Sequence, residues 1–156
     1  MLEVRNMAGH LIRRLHQISV SAVAEAIEAA GHDLTPVQFA ALSAIGARPG
    51  IDQATLAGLI VYDRATIGGV VDRLDAKQLL TRAVSAEDRR ARVLTPTAEG
   101  RRLLTEITPV FRKVQDQILA GLDPDERETM LGLLRKATAQ GNALSRAPLK
   151  TGKEKA

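Results

Sequence analysis

Arg64, Arg73, Lys77, Arg82, Arg89, Arg90 and Arg92 crowd one short stretch of this 156-residue chain. Between them runs a strip of small residues, Ala65, Thr66, Gly68 and Gly69. Guanidinium and ammonium groups at that density suit phosphate oxygens, contacts that supply much of the affinity for a nucleic acid and make it salt-dependent. Arginine and threonine can also read base edges in a major groove. A plain solvated face is the rival explanation, because Asp72, Asp75, Glu87 and Asp88 partly balance the cations. The small residues favour the first reading. Ile67, Val70, Val71 and Leu74 follow an i, i+3, i+4, i+7 spacing that puts them on one helical face, with Ala65, Gly68, Gly69, Asp72 and Ala76 on the other. Adjacent glycines inside a helix cost about 1 kcal/mol each relative to alanine, and close approach to a groove floor offsets that cost.

A second group, His10, Arg13, Arg14 and His16, together with Gln38 and Phe39, has the chemistry of a pocket for an aromatic carboxylate. The two histidines do not share a helical face, which argues against a metal site. The chain has no cysteine, so disulfides, thiolate zinc sites and thiol redox sensing are excluded. There is no nucleophile motif, phosphate-cradling loop or paired acid–base set. Neither catalysis, a metal nor a cofactor is expected.

The elements that must position these residues read as mostly α with a small β-wing: a winged helix-turn-helix with N- and C-terminal dimerisation helices. Residues 1–34 supply a first helix over 4–30, with Val4, Met7, Leu11, Leu15, Ile18, Ala22 and Ala26 inward and Gly31 at its end. Residues 35–97 form the winged module. Thr35 and Gln38 make a capping box, while Asp52 and Asp63 cap the two following helices. Tyr62 and Ile67 hold the positions of a hydrophobic staple. Strands over 79–84 and 91–95 flank the charged tip Ser85–Arg90. Residues 98–145 give two further helices, the first capped by Thr97 and kinked at Pro109, the second opened by Asp123 and Glu126. Residues 146–156 read as a basic disordered tail.

Aromatics are only 2% of the chain, so the core is aliphatic. A net charge of +4 and a pI near 9.8 fit a polyanionic partner. No stretch approaches the roughly 18 apolar residues of a membrane span, and the N-terminus lacks a signal peptide's apolar region. The expectation is a cytoplasmic protein without a membrane partner.

LTPVQFAAL at the second helix, QATLAGLI at the third, DRATIGGVVDRLDAKQLL through the fourth and EDRRARV at the hairpin resemble the MarR (multiple antibiotic resistance regulator) family over about residues 5–140. The resemblance implies a homodimer presenting two winged modules to a pseudo-palindromic operator in double-stranded DNA. It also implies repression relieved by a small effector, often a phenol or aromatic acid. By the same resemblance Ala65, Thr66, Gly68 and Gly69 face the bases, and Asp88 and Arg90 match the wing's Asp-x-Arg, whose arginine reaches a minor groove. A polar or arginine residue commonly stands where this chain has Gly68 and Gly69, which shifts the expected readout from base contacts towards shape. Thr97 and Pro109 are the expected hinges between wing and dimerisation helices. A winged-helix adaptor or architectural protein without ligand control is the alternative.

Overall fold

Of the six α-helices among the described residues, five begin at a side chain that satisfies their first free N–H groups. Thr35, Asp52, Asp63, Thr97 and Asp123 cap α2 (Pro36–Ala47), α3 (Gln53–Leu59), α4 (Arg64–Ala76), α5 (Ala98–Ile118) and α6 (Pro124–Gly141) respectively. Thr35–Gln38 and Asp123–Glu126 both close as reciprocal capping boxes. The exception is α1 (Ala8–Ala29), which starts at Met7 with no side-chain cap. It is also shorter than expected. Met7 is extended, so residues Val4–Asn6 form a separate 3₁₀ turn. The computed structural model describes residues 3–85 and 92–145.

Three helices end in the same way, with one residue in the left-handed region and the next N–H returning to a carbonyl inside the helix. Gly31 (φ 78°) does this for α1, with His32 N–H bonding Ile27 O at 3.2 Å. Gln78 (φ 56°) does it for α4, with Leu79 N–H on Leu74 O at 3.0 Å. Val61 (φ 59°) does it for α3, with Tyr62 N–H on Ala57 O at 3.1 Å. A β-branched residue is strained there. That strained residue makes the turn between α3 and α4.

The sheet has three antiparallel strands rather than the expected two, in the order β1 (Ile51–Asp52), β3 (Arg92–Pro96), β2 (Leu80–Val84). Leu80 pairs with Pro96 and Val84 with Arg92, while Ile51 pairs with Leu94. Two residues are too few to carry a readable alternation, so β1 has no signature in the sequence. The fold is thus mostly helical with a small sheet that backs the hairpin.

Ile67, Val70, Val71 and Leu74 of α4 are all buried, packed with Phe39, Leu42 and Ile45 of α2, Leu56 of α3 and Leu80 and Leu94 of the sheet. Ile107 and Val114 of α5 and Val23 and Ile27 of α1 extend this core away from the hairpin. Two faces find no cover among the described residues. Val4, Met7, Leu11 and Ile18, expected to point inward, are 47–57% exposed, and the buried residues of α1, Val23 and Ile27, come only in its second half. No residue of α6 is buried, and its Leu131 and Leu133 are 41% and 62% exposed.

Candidate nucleic-acid interface

The strip Ala65–Thr66–Gly68–Gly69 is held outward by the four buried side chains on the other face of α4. Asp63 fixes where the helix starts. Its Oδ1 accepts the Thr66 N–H at 2.9 Å and its Oδ2 the Thr66 hydroxyl at 2.6 Å. Those bonds, the hydroxyl's first, hold the Asp63 carboxyl below the usual aspartate range. The Thr66 hydroxyl hydrogen is therefore committed to Asp63. What remains for a ligand is an acceptor lone pair and a methyl group, not the donor that the sequence suggested. Ala65 and Thr66 are exposed, and a Cβ built on Gly69 meets nothing within 4 Å. A Cβ on Gly68 would lie 3.5 Å from Nε2 of Gln53, the first residue of α3.

The basic cluster divides into pinned and exposed members. Lys77 reaches back to Asp33, pairing with its Oδ2 at 2.6 Å and also bonding its carbonyl, so it anchors the end of α4 to the loop before α2. Arg82 on β2 spans to Asp72 Oδ1 at 2.5 Å and Asp75 Oδ2 at 3.0 Å, tying the hairpin to α4. Arg73 and Arg92 are exposed. Arg64 opens α4, but its side chain lies outside the described residues, as do Asp88, Arg89 and Arg90 at the hairpin tip. Sequence alone identified the cations but not which were already paired, because Asp33 is 44 residues from Lys77.

The junction between hairpin and α5 is tied at three points. The Thr97 N–H bonds Leu79 O at 3.1 Å, its hydroxyl donates to Gln78 O at 2.7 Å, and the same oxygen accepts the Gly100 N–H at 3.0 Å. Gly100 is buried so tightly that a Cβ there would run into the Leu79 carbonyl. Thr97, expected as a hinge, is a clamp joining α5 to the end of α4. The loosened part of α5 lies further along. Pro109 offers no N–H to the Thr105 carbonyl, and the hydroxyls of Thr105 and Thr108 bond back to Arg101 O (3.0 Å) and Leu104 O (2.6 Å).

The residues read as an aromatic-acid pocket divide into a buried set and an exposed set. Gln38 is buried and its Oε1 accepts the Thr35 N–H at 3.1 Å. Phe39 is buried against Phe111 of α5, with ring centroids 4.4 Å apart. Arg13, Arg14 and His16 are exposed and His10 half-exposed on the N-terminal half of α1, whose buried residues, Val23 and Ile27, come later. No acidic residue occurs from Ala8 to Ala24, so nothing within this stretch balances its basic side chains. No helix among the described residues is long and apolar enough to cross a membrane.

Comparison with known proteins agrees with this geometry. Residues 32–91 match the model of the MarR family. The transcriptional regulator HosA of Escherichia coli is 32% identical over 86% of this chain and 97% of its own length. The HTH-type transcriptional repressor NicR of Pseudomonas putida is 32% identical, over 86% of this chain and 84% of NicR. Among solved structures, one describing regulation of DNA binding of Bordetella bronchiseptica BpsR by 6-hydroxynicotinic acid superposes with a TM-score of 0.83. It is 31% identical and covers 88% of this chain and 97% of BpsR.

Proposed function

The chain belongs to the MarR family of transcription regulators and is not an enzyme, and from that membership we propose that it is a homodimeric, sequence-specific DNA-binding repressor released by a small aromatic acid. The observation that carries the DNA half is the outward strip of α4, whose Gly69 faces open space while the opposite face is wholly buried. A helix so smooth can sit deep in a major groove. Arg64, Arg73, Arg89, Arg90 and Arg92 then supply phosphate and minor-groove contacts around Ala65, Thr66, Gly68 and Gly69, with Asp88 part of the same DNA-facing set. Lys77 contributes charge but is anchored to Asp33. The unpartnered faces of α1 and α6 support a second copy as the element that covers them.

The effector half rests on chemistry and on likeness. BpsR, whose DNA binding responds to 6-hydroxynicotinic acid, is similar over most of this chain. Here the acid-free stretch bearing His10, Arg13, Arg14 and His16 suits the carboxylate of such a compound, and the region of Gln38 and Phe39 its ring. A ligand relieves repression only by favouring a dimer whose recognition helices are wrongly spaced. A coupling of about 1–3 kcal/mol is typical.

Fluorescence anisotropy tests both halves, using the DNA upstream of the protein's own gene and a random duplex at two salt concentrations. Tighter, salt-sensitive binding to the upstream DNA, released by a hydroxybenzoate or pyridine carboxylate, is the expected result. Equal binding to both duplexes would sink the regulator reading. Specific binding that no aromatic acid disturbs would sink the effector alone.

A further inference from the structure

We propose that Gln53 contacts DNA: its side-chain amide, lying across α4 where Gly68 has no side chain, bonds the duplex alongside the small-residue strip. This rests on the DNA-binding reading above and adds to it a residue from the neighbouring helix.

Gln53 is only half-exposed, yet its amide makes no hydrogen bond to any described residue. The chain's other partly or fully buried glutamine with a comparable constraint, Gln38, is by contrast bonded into a capping box. An amide carries two donors and an acceptor, and one left unbonded at a protein surface finds water or a ligand. The position of Gln53 is not loose. Asp52 caps α3 through bonds of 2.9 Å from both the Ala54 and Thr55 N–H groups, which fixes the backbone at Gln53. Leu56 of α3 is fully buried against α4, which fixes the distance between the two helices. Nε2 then lies 3.5 Å from the place a Gly68 Cβ would occupy. That is ordinary van der Waals contact, so a methyl at residue 68 would fit, and only a longer side chain would compete for the space beside the amide.

Gly69 leaves open space, and the Gln53 amide lies beside Gly68. A strip of alanine, threonine and glycine offers few donors of its own, and the Thr66 hydroxyl hydrogen is engaged by Asp63. Gln53 supplies what the strip lacks. Its amide can bond an adenine edge at N6 and N7, or donate to a phosphate oxygen.

The test begins with wild-type protein and a randomised duplex pool, from which the bound sequences are enriched. Affinities of wild type, Gln53→Ala and Gln53→Glu are then measured on the enriched duplex and on a scrambled one. Gln53→Glu keeps the side chain's volume, so it separates loss of the donor from loss of packing on α4. Thermal melting checks that both variants stay folded. Gln53→Ala should bind the enriched duplex at least about tenfold more weakly, and Gln53→Glu more weakly still. Loss confined to the enriched duplex identifies a base edge as the partner, and equal loss on both duplexes identifies phosphate. Unchanged affinity of both variants on both duplexes overturns the inference. A wild-type protein that enriches no sequence defeats the regulator reading itself, and the inference falls with it.

Discussion

A carboxylate at a helix start does two jobs in this chain, and both depend on its charge. Asp63 accepts two bonds from Thr66 and sits below the usual aspartate pKa. At Asp52 burial pushes the carboxyl up, but bonds from the Thr55 hydroxyl and the Thr55 and Ala54 N–H groups outweigh it, and the net shift is down. A folded-state pKa below the unfolded value means stability that is present above the ordinary value of 3.8 and lost as the pH falls through the lowered one. Asp63→Asn keeps the cap without the charge, so its melting temperature should fall less steeply below pH 3.8 than that of wild type. Parallel acid titrations would disprove the role given to the Asp63 charge. These caps were legible in the sequence because capping is local: donor and acceptor stand two or three residues apart. The pairing of cations was not legible, since Lys77–Asp33 and Arg82–Asp72 depend on how helices and strands meet in space.

Elements were legible where periodicity is long. The buried face of α4 matches its spacing residue for residue, and α2, α5 and α6 start at the caps read from the sequence. Short or unusual features escaped. A two-residue β1 has no period, and nothing marks Val61 for a left-handed turn that glycine would normally fill. The junction at Thr97 was read as a cap, but its second bond, to Gln78 O, was invisible from sequence. Thr97→Ala removes both bonds and should cost about 2 kcal/mol, measured from the urea midpoint. Gly100→Ala should be worse, because the new methyl meets a backbone carbonyl that cannot swing aside. A Gly100→Ala protein as stable as wild type would mean that α5 can lift off the end of α4.

At the scale of the whole molecule, α6 and the first half of α1 are ordered without burying much against their own chain. Isolated helices of such length are marginal in water, so their order must draw on packing against something else. If a second copy supplies it, the thermal midpoint should rise with protein concentration. Leu133→Glu should abolish that dependence and shift sedimentation towards the monomer. A wild-type midpoint independent of concentration would count against self-association through these faces. The periodicity of α6 showed that it has an apolar side but could not show what that side meets, because a partner leaves no trace in the spacing of one helix.

The bonds at Thr97 and the bridge from Arg82 make the two long strands, α4 and the first turns of α5 one body, while Pro109 leaves a gap in the helix that carries it. From Pro109 back to Thr97 is a lever of roughly 18 Å at helical rise. A bend of about 10° at its far end would move the winged module by about 3 Å, close to the ~3.4 Å rise of one base pair. Register on a double helix is therefore within reach of a very small motion, and in the proposed dimer a slip of one step would put the two modules out of phase with their half-sites.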